Sequence, residues 1–309
     1  MKLFKLLFCA LSAFLFFAFL STSFTSCTKT DTVHDTTTIT IRDTITVRDT
    51  VTVTDTLGNL SDGLVAYYNF NNGSLKDSSG HGNDIIFSNA ALTSDRFGNA
   101  NNAYLFSGDS TYMRVPNSAS INPNNITLYA IVKVNSFFQG QCHGNQIFSK
   151  GWPYGIQGLY QLSFFPIYNG DGTACAATID STKEIFGGSF GDDVPQGYSA
   201  GAAGNSSIDS VLVQKDQWYT LAYTYDGATA KFYVNGALAY SLPNQHSITF
   251  TPNTYDLLIG KHENPLFPYY FHGVIDEIRI YNKAITNEQI GYLNILKSKY
   301  LRQSNRLIY

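Results

Sequence analysis

The sequence predicts an all-β protein, a two-sheet antiparallel sandwich over residues 63–287, and three observations carry that expectation. Ile126, Leu128, Ala130, Val132 and Val134 alternate strictly with their neighbours and share one face, as a strand with one buried side requires. Trp218 to Tyr225 and Ala230 to Val234 alternate in the same way, and Asp226-Gly227 and Asn235-Gly236 supply the turn residues that hairpins need. Elsewhere the chain is rich in Gly, Asn and aromatic residues and has no long helical period; all-β units of about 200 to 250 residues commonly fold as one domain.

The elements before that domain read differently. Lys2 and Lys5 precede an apolar run from Leu6 to Leu20, followed by small and hydroxyl residues up to Ser26. This order favours a secretory signal over residues 1–26, with a single membrane-spanning helix as the alternative. Thr25-Ser26-Cys27 resembles the lipobox of bacterial lipoprotein signals, which implies a lipidated Cys27, export, and an anchor in the outer membrane at the cell surface. Lipidation would also remove an exposed thiol prone to oxidation. Cleavage before an ordinary cysteine is the other reading.

Residues 27–62 form a Thr/Asp-rich stalk. Arg42 to Val47 and Arg48 to Val53 repeat as a hexad, and the alternation of Val or Ile with Thr favours a disordered or extended spacer. Its Asp-Thr-apolar triplets, such as those beginning at Asp43 and Asp49, resemble O-glycosylation acceptors of some Gram-negative bacteria. Without the signal the chain carries 18 basic and 23 acidic residues, a formal charge of −5. No basic block interleaves with aromatics, which argues against nucleic acid.

Within the domain, Leu64, Ala66, Tyr68 and Phe70 alternate as an opening strand. The following segment to Asp84 is dense in Gly, Asn, Asp and Ser, a surface turn or an oxygen-rich loop able to hold Ca²⁺. Residues 103–106, 111–115, 146–150 and 160–165 read as strands, and 169–210 as having little regular structure. Cys142 and Cys175, 33 residues apart, are most simply a disulfide in an exported chain, worth roughly 3.5 to 4 kcal/mol. Zinc is the minor reading, since His143 is the only histidine nearby.

After the strand at 256–260 and an aromatic loop over 262–271, the stretch Gly273 to Ile285 alternates once more. Period 2 places Val274, Asp276, Ile278 and Ile280 on the core face and Ile275, Glu277, Arg279 and Tyr281 on the other. A buried Asp276 would need a cation or a set of N–H donors. Thr286-x-x-Gln289 fits a capping box, so a short C-terminal helix is expected within the segment 288–309.

Gly63-Leu-Val-Ala-Tyr-Tyr-Asn-Phe, Asp77-Ser-Ser-Gly-His-Gly-Asn-Asp, Trp218-Tyr with Tyr225-Asp-Gly and Tyr233-Val-Asn-Gly, Leu258-Ile-Gly, and Gly273-Val-Ile-Asp-Glu-Ile-Arg-Ile-Tyr-Asn-Lys-Ala-Ile together resemble the laminin-G-like and pentraxin-like jelly rolls of the concanavalin A-like superfamily. The resemblance implies that the first and last strands are neighbours and that a structural Ca²⁺ could bind at Asp77, Asn83 and Asp276. The alternative for Asp276 is that backbone N–H groups of the turn satisfy it. That superfamily contains lectins, binding modules and glycoside hydrolases, and fold does not choose among them.

The Glu-x-Asp-x-x-Glu motif of related glucanases is absent, and hydrolysis needs two positioned carboxyl groups. The favoured function is therefore a non-catalytic carbohydrate-binding or adhesion module. Trp152, Tyr154, Phe267, Tyr269 and Tyr270 are its candidate aromatic platform, with His143, Asn145 and Glu263 as polar partners. A protein-binding adhesin and a hydrolase with an unrecognised site are the alternatives. The sequence does not name the glycan or surface-protein ligand.

Overall fold

The computed structural model describes residues 39–42, 48–51, 59–138, 145–151, 158–166, 184–192, 212–243 and 250–304. The chain divides into two compact units, Met1–Asn59 and Leu60–Tyr309. In the first, β1 (Ile39–Arg42) and β2 (Arg48–Val51) pair antiparallel with each other, Ile39 opposite Val51. The extended backbone expected of the Thr-rich repeats therefore finds its partner within the same unit.

The second unit is built of two antiparallel sheets. Its strands are β3 (Leu64–Tyr68), β4 (Phe87–Ser88), β5 (Ala91–Thr93), β6 (Ala103–Ser107), β7 (Met113–Val115), β8 (Ile126–Ser136) and β9 (Asn145–Lys150). They continue as β10 (Leu159–Pro166), β11 (Glu184–Gly191), β12 (Trp218–Tyr225), β13 (Thr229–Val234), β14 (Ala237–Pro243), β15 (Leu257–Ile259) and β16 (His272–Tyr281). One sheet runs β14-β13-β12-β8-β16-β6-β5, with β3 also paired to β16, and the other runs β11-β10-β9-β15-β7-β4. The adjacency expected of the first and last strands is present: Ala66 lies opposite Ile280 and Tyr68 opposite Ile278.

The core between the sheets follows the alternation. Leu128, Ala130, Val132 and Val134 of β8 and Leu221, Tyr223 and Tyr225 of β12 meet Phe148, Tyr160, Leu162, Phe164, Phe186 and Phe190 from the opposite sheet. Rings interlock edge to face, as Phe164–Phe186 at 5.9 Å and Phe186–Tyr219 at 4.8 Å, the geometry that aromatic quadrupoles favour. The opposite face of β8 and β12 is apolar too. Tyr129, Ile131 and Ala222 pack there with Ile285, Ile290 and Leu293, because α1 (Asn287–Ser304) covers that surface. The expected capping box starts the helix: the Thr286 N–H donates to Gln289 Oε1 at 2.9 Å, and the Gln289 N–H to Thr286 Oγ1 at 3.2 Å. Among the described residues no helix is long and apolar enough to cross a membrane.

Two expectations need correction. Residues 184–191 form a strand inside the stretch read as irregular, and short β4, β5 and β14 lie at sheet edges. Glycine misled the reading: a Cβ on Gly188 would stand 2.8 Å from the Tyr223 side chain, so the residue is there for close sheet packing and not for a turn. The expected C-terminal helix is present and runs from Asn287 to Ser304.

The second correction concerns Asp276. The β16–β8 register shifts between Ile275 and Glu277, with Ile275 opposite Val132 and Glu277 opposite Ile131, so Asp276 is the extra residue of a β-bulge. The alternation changes phase there. Ile275, Ile278 and Ile280 face the inter-sheet core, while Tyr281 joins the cluster beneath the helix. Asp276, fully buried, meets Arg96 with Nε 3.7 Å from Oδ2.

The tie from the first turn to the last strand passes instead through Asp77, Tyr67, Arg279 and Glu277. Asp77 Oδ1 accepts the Tyr67 N–H at 2.9 Å, the Tyr67 ring lies 4.0 Å from the Arg279 guanidinium carbon, and Arg279 Nε donates to Glu277 Oε1 at 2.7 Å. Arg279→Met should lower the unfolding free energy by about 3 kcal/mol in chemical denaturation, because it leaves the buried Glu277 without its guanidinium. The double variant Arg279→Met/Glu277→Leu should recover much of that loss.

Candidate functional site

The loop between β15 and β16 carries the largest group of partly exposed rings among the candidate residues. It leaves β15 through Gly260, whose φ of +85° and close approach to the Phe106 ring admit no side chain. It returns at the buried Phe271, held between Phe106 at 5.9 Å and Phe164 at 6.0 Å. The N–H of Phe271 donates to Gly260 O at 2.9 Å and that of His262 to Pro268 O at 2.7 Å, which closes the loop on itself.

Within it, Asn264 Oδ1 accepts the Leu266 N–H at 2.9 Å, and His262 Nδ1 accepts the Asn264 N–H at 3.1 Å. An imidazole that accepts at Nδ1 must be neutral there. Burial, with Lys261 alongside, holds His262 down at about 4, so it stays neutral above that pH.

This frame presents a wall of rings. Phe267 and Tyr269 stack at 6.2 Å and 22°, and Phe138, from beyond the end of β8, stands 6.4 Å from Tyr269 and 6.5 Å from Tyr270. All four are half-buried, and Leu266 beside them is 79% exposed. The wall continues into β9, since the Gln146 N–H donates to Tyr269 O at 2.8 Å. Glu263 is half-buried in the same loop, and burial raises its carboxyl above the ordinary value.

Next to the wall lies the outward face of the six-stranded sheet. The registers place Ser189, Gln161, Ser149, Leu258, Arg114 and Phe87 in one row across its strands, and Gln146, Ser163 and Gly187 in the neighbouring row. Gln146 Nε2 donates to Gln161 Oε1 at 2.5 Å. Gln146 Oε1 and Ser189 Oγ are buried without a hydrogen-bond partner among the described residues. In these two rows the β9, β10 and β11 positions are amides, hydroxyls and glycine, of which Gln146, Ser149, Ser163 and Ser189 are buried and Gln161 is half-buried. Among the described residues of these rows the only cation is Arg114, towards the β4 edge and paired with Asp256 at 3.1 Å.

The structure thus brings Phe267, Tyr269 and Tyr270 together and adds Phe138, Gln146 and Gln161, which sequence reasoning missed. The polar positions of Tyr160-Gln-Leu-Ser-Phe164 and of Gln146 were the available signal, since alternation marks a polar outward face. Asn145 lies inside: its Oδ1 accepts the Phe138 N–H at 2.7 Å and its Nδ2 donates to Glu184 Oε2 at 2.7 Å. His143, Trp152, Tyr154, Cys142, Cys175 and Cys27 lie outside the described residues.

Asp77, Asn83 and Asp276 are engaged by protein groups. Asp77 Oδ1 also accepts the Ser79 N–H at 2.8 Å, and Oδ2 accepts the Ser79 hydroxyl at 2.8 Å and the Asn83 N–H at 3.0 Å. Asn83 donates through Nδ2 to Val65 O at 2.7 Å and Ser120 Oγ at 2.9 Å, and its Oδ1 accepts from Ser118 at 2.6 Å. The Asp77 carboxylate thus accepts four hydrogen bonds from protein groups. Among the described residues no three His, Cys, Asp or Glu side chains gather into a metal-holding group.

A family model of laminin-G type, described as the concanavalin A-like lectin/glucanases superfamily, matches residues 107–291. No curated protein matches the sequence. Domain 4 of AbnA, a GH43 extracellular arabinanase from Geobacillus stearothermophilus solved in complex with arabinotriose, is similar with a TM-score of 0.51 and 22% identity, over 75% of this chain and 98% of that one.

The binding domain of Paraclostridial Mosquitocidal Protein 1 gives a TM-score of 0.54 at 13% identity, over 76% of this chain and 52% of its own. The binding domain of botulinum neurotoxin DC in complex with SialylT gives 0.52 at 13%, over 76% and 51%. This chain spans about half the length of those two toxin domains. At these identities the likeness is one of fold.

Two measurements follow from the site's electrostatics. Glu184 is fully buried, and burial pushes its carboxyl up to about 9, with Lys215 drawing it only partly back. Its folded-state value exceeds the unfolded one, so the folded state holds a proton that the unfolded state has lost, and stability falls as pH rises from about 4.5 to about 9. Glu184→Gln should therefore raise the melting temperature, with a gain that widens over that window and reaches up to about 3 kcal/mol at pH 7. Calcium titration is expected to leave the melting temperatures of wild type and Asp276→Ala equally unmoved; a rise confined to wild type would place the cation at Asp276.

Proposed function

As the chain belongs to the concanavalin A-like lectin/glucanase superfamily, we propose that its folded unit is a carbohydrate-binding module that does no chemistry on its ligand. The observation that carries this reading is the continuity of the Phe138, Phe267, Tyr269 and Tyr270 rings with the neutral amides of Gln146 and Gln161. A sugar ring has an apolar C–H face and a rim of hydroxyls. Aromatic faces bury the first, and amides can donate to and accept from the second.

The described residues around the wall are suited to holding a ligand and not to cleaving it. Glycosidic hydrolysis needs a pair of carboxyl groups set across the bond, and the polar groups beside the rings are amides and hydroxyls. Glu263 supplies one carboxyl in the loop. The likeness to an arabinanase domain seen with arabinotriose supports a glycan ligand as a class.

Display at the cell surface through a lipidated Cys27 and the Thr-rich stalk is part of the same proposal and rests on the N-terminal sequence. Incorporation of a labelled fatty acid into wild type and not into Cys27→Ala tests it.

A glycan array probed with the mature protein tests the binding reading. Phe267→Ala and Tyr270→Ala should each weaken the strongest array ligand by about tenfold, the loss expected for one ring contact, while leaving the melting transition in place. Sustained release of reducing ends from a polysaccharide panel would overturn the non-catalytic reading.

A further inference from the structure

Glu184 is an acid where the geometry asks only for an acceptor. It is fully buried at the start of β11, with Oε2 accepting from Asn145 Nδ2 at 2.7 Å. Oε1 has no hydrogen-bond partner among the described residues, and no cation stands within 4 Å of the carboxyl among them. Its main-chain carbonyl accepts the Val213 N–H at 2.8 Å.

Lys215, the charged group with an electrostatic hold on it, sits instead over the Phe137 ring at 4.6 Å. Among the described residues the other neighbours are uncharged at neutral pH: Pro166 and Phe164 on β10, Asn145 on β9, and Tyr219 of β12 against Phe186 at 4.8 Å. Burial with one hydrogen bond from Asn145 favours the neutral acid over the carboxylate there.

Asn145 connects this acid to the ring wall. While its Nδ2 is fixed on Glu184, its Oδ1 holds the Phe138 N–H at 2.7 Å, and Phe138 is the ring that stands against both Tyr269 and Tyr270. We propose that neutral Glu184 is the positioning residue of the wall, setting the Asn145 amide and through it the Phe138 backbone. The inference rests on the reading of the wall as the ligand surface, but its mechanical part needs no ligand. Ionisation of Glu184 would put a bare charge beside Asn145, pull in water or Lys215, and reorient the amide that Phe138 depends on. Burial sets that event near pH 9.

The test is an NMR pH titration of mature protein labelled with ¹⁵N-phenylalanine, from pH 7 to 10.5, with the Phe138 amide identified by its loss in Phe138→Leu. In wild type the Phe138 amide should shift with a midpoint near 9. In Glu184→Gln, which keeps the acceptor and cannot ionise, it should sit at the wild-type neutral-pH position and not move. Asn145→Ser should uncouple the amide from the titration while Glu184 is still present.

A Phe138 amide that stays flat in wild type, or one that shifts with the same midpoint in Glu184→Gln, overturns the proposal. Arabinotriose as the binding probe supplies the functional arm, its affinity falling through the same window in wild type and not in Glu184→Gln. A protein that binds no glycan would defeat the carbohydrate reading alone, since the amide titration would still decide the role of Glu184.

Discussion

Charge buried on a central strand is the constraint around which this domain is arranged. β16 is hydrogen-bonded to β8 on one side and to β6 and β3 on the other, so solvent cannot reach it along either edge. Yet it carries Asp276, Glu277 and Arg279, all largely out of water. Such charges persist only where partners are delivered to them, and here the partners come from remote parts of the chain. Arg96 arrives from the loop after β5, and the Tyr67 ring from β3. The bulge at Asp276 lets both acids be served without disturbing Ile275, Ile278 and Ile280, which stay in the core.

That arrangement fixes the strand from which the aromatic loop begins its return. Phe271, immediately before β16, is clasped by Phe106 and Phe164, and Gly260 at the other end lies against Phe106. The loop is therefore pinned at both ends by the inter-sheet core, and its inner bonds come from His262, Asn264 and Pro268. Ordering these rings before a ligand arrives removes much of the entropy that binding would otherwise cost. A wall built this way can present half-exposed aromatics without collapsing into the core.

The two sides of the sandwich are put to different uses. The outer face of the eight-stranded sheet holds buried tyrosines and an ion pair, and part of it lies under α1. The outward face of the other sheet is neutral and polar over β9, β10 and β11, with amides and hydroxyls in register. Charge on the first side is spent on holding strands together. On the second, the polar side chains are neutral and mostly buried, and neutral donors and acceptors bear burial without the desolvation cost of an ion.

The alternating runs of β8 and β12, the hairpin to β13 and the capping box of Thr286 and Gln289 were legible because each depends on neighbours within a few residues. The same locality made the loop rings of Phe267, Tyr269 and Tyr270 stand out as a set. β11 was hidden, since its glycines take their meaning from Tyr223 on another sheet. So was the phase change at Asp276, because a bulge is defined by the register of two strands and period 2 cannot contain it. Phe138 and Glu184 could not be joined from sequence, as Asn145, the residue that links them, read as a polar partner for the ligand. The sequence by itself determined the strands whose alternation runs unbroken, β8, β12 and β13, and the apolar side of each, for those are properties of local period. Only the tertiary structure decided which acids were paired and which rings stood together, because both depend on contacts between residues far apart in the chain.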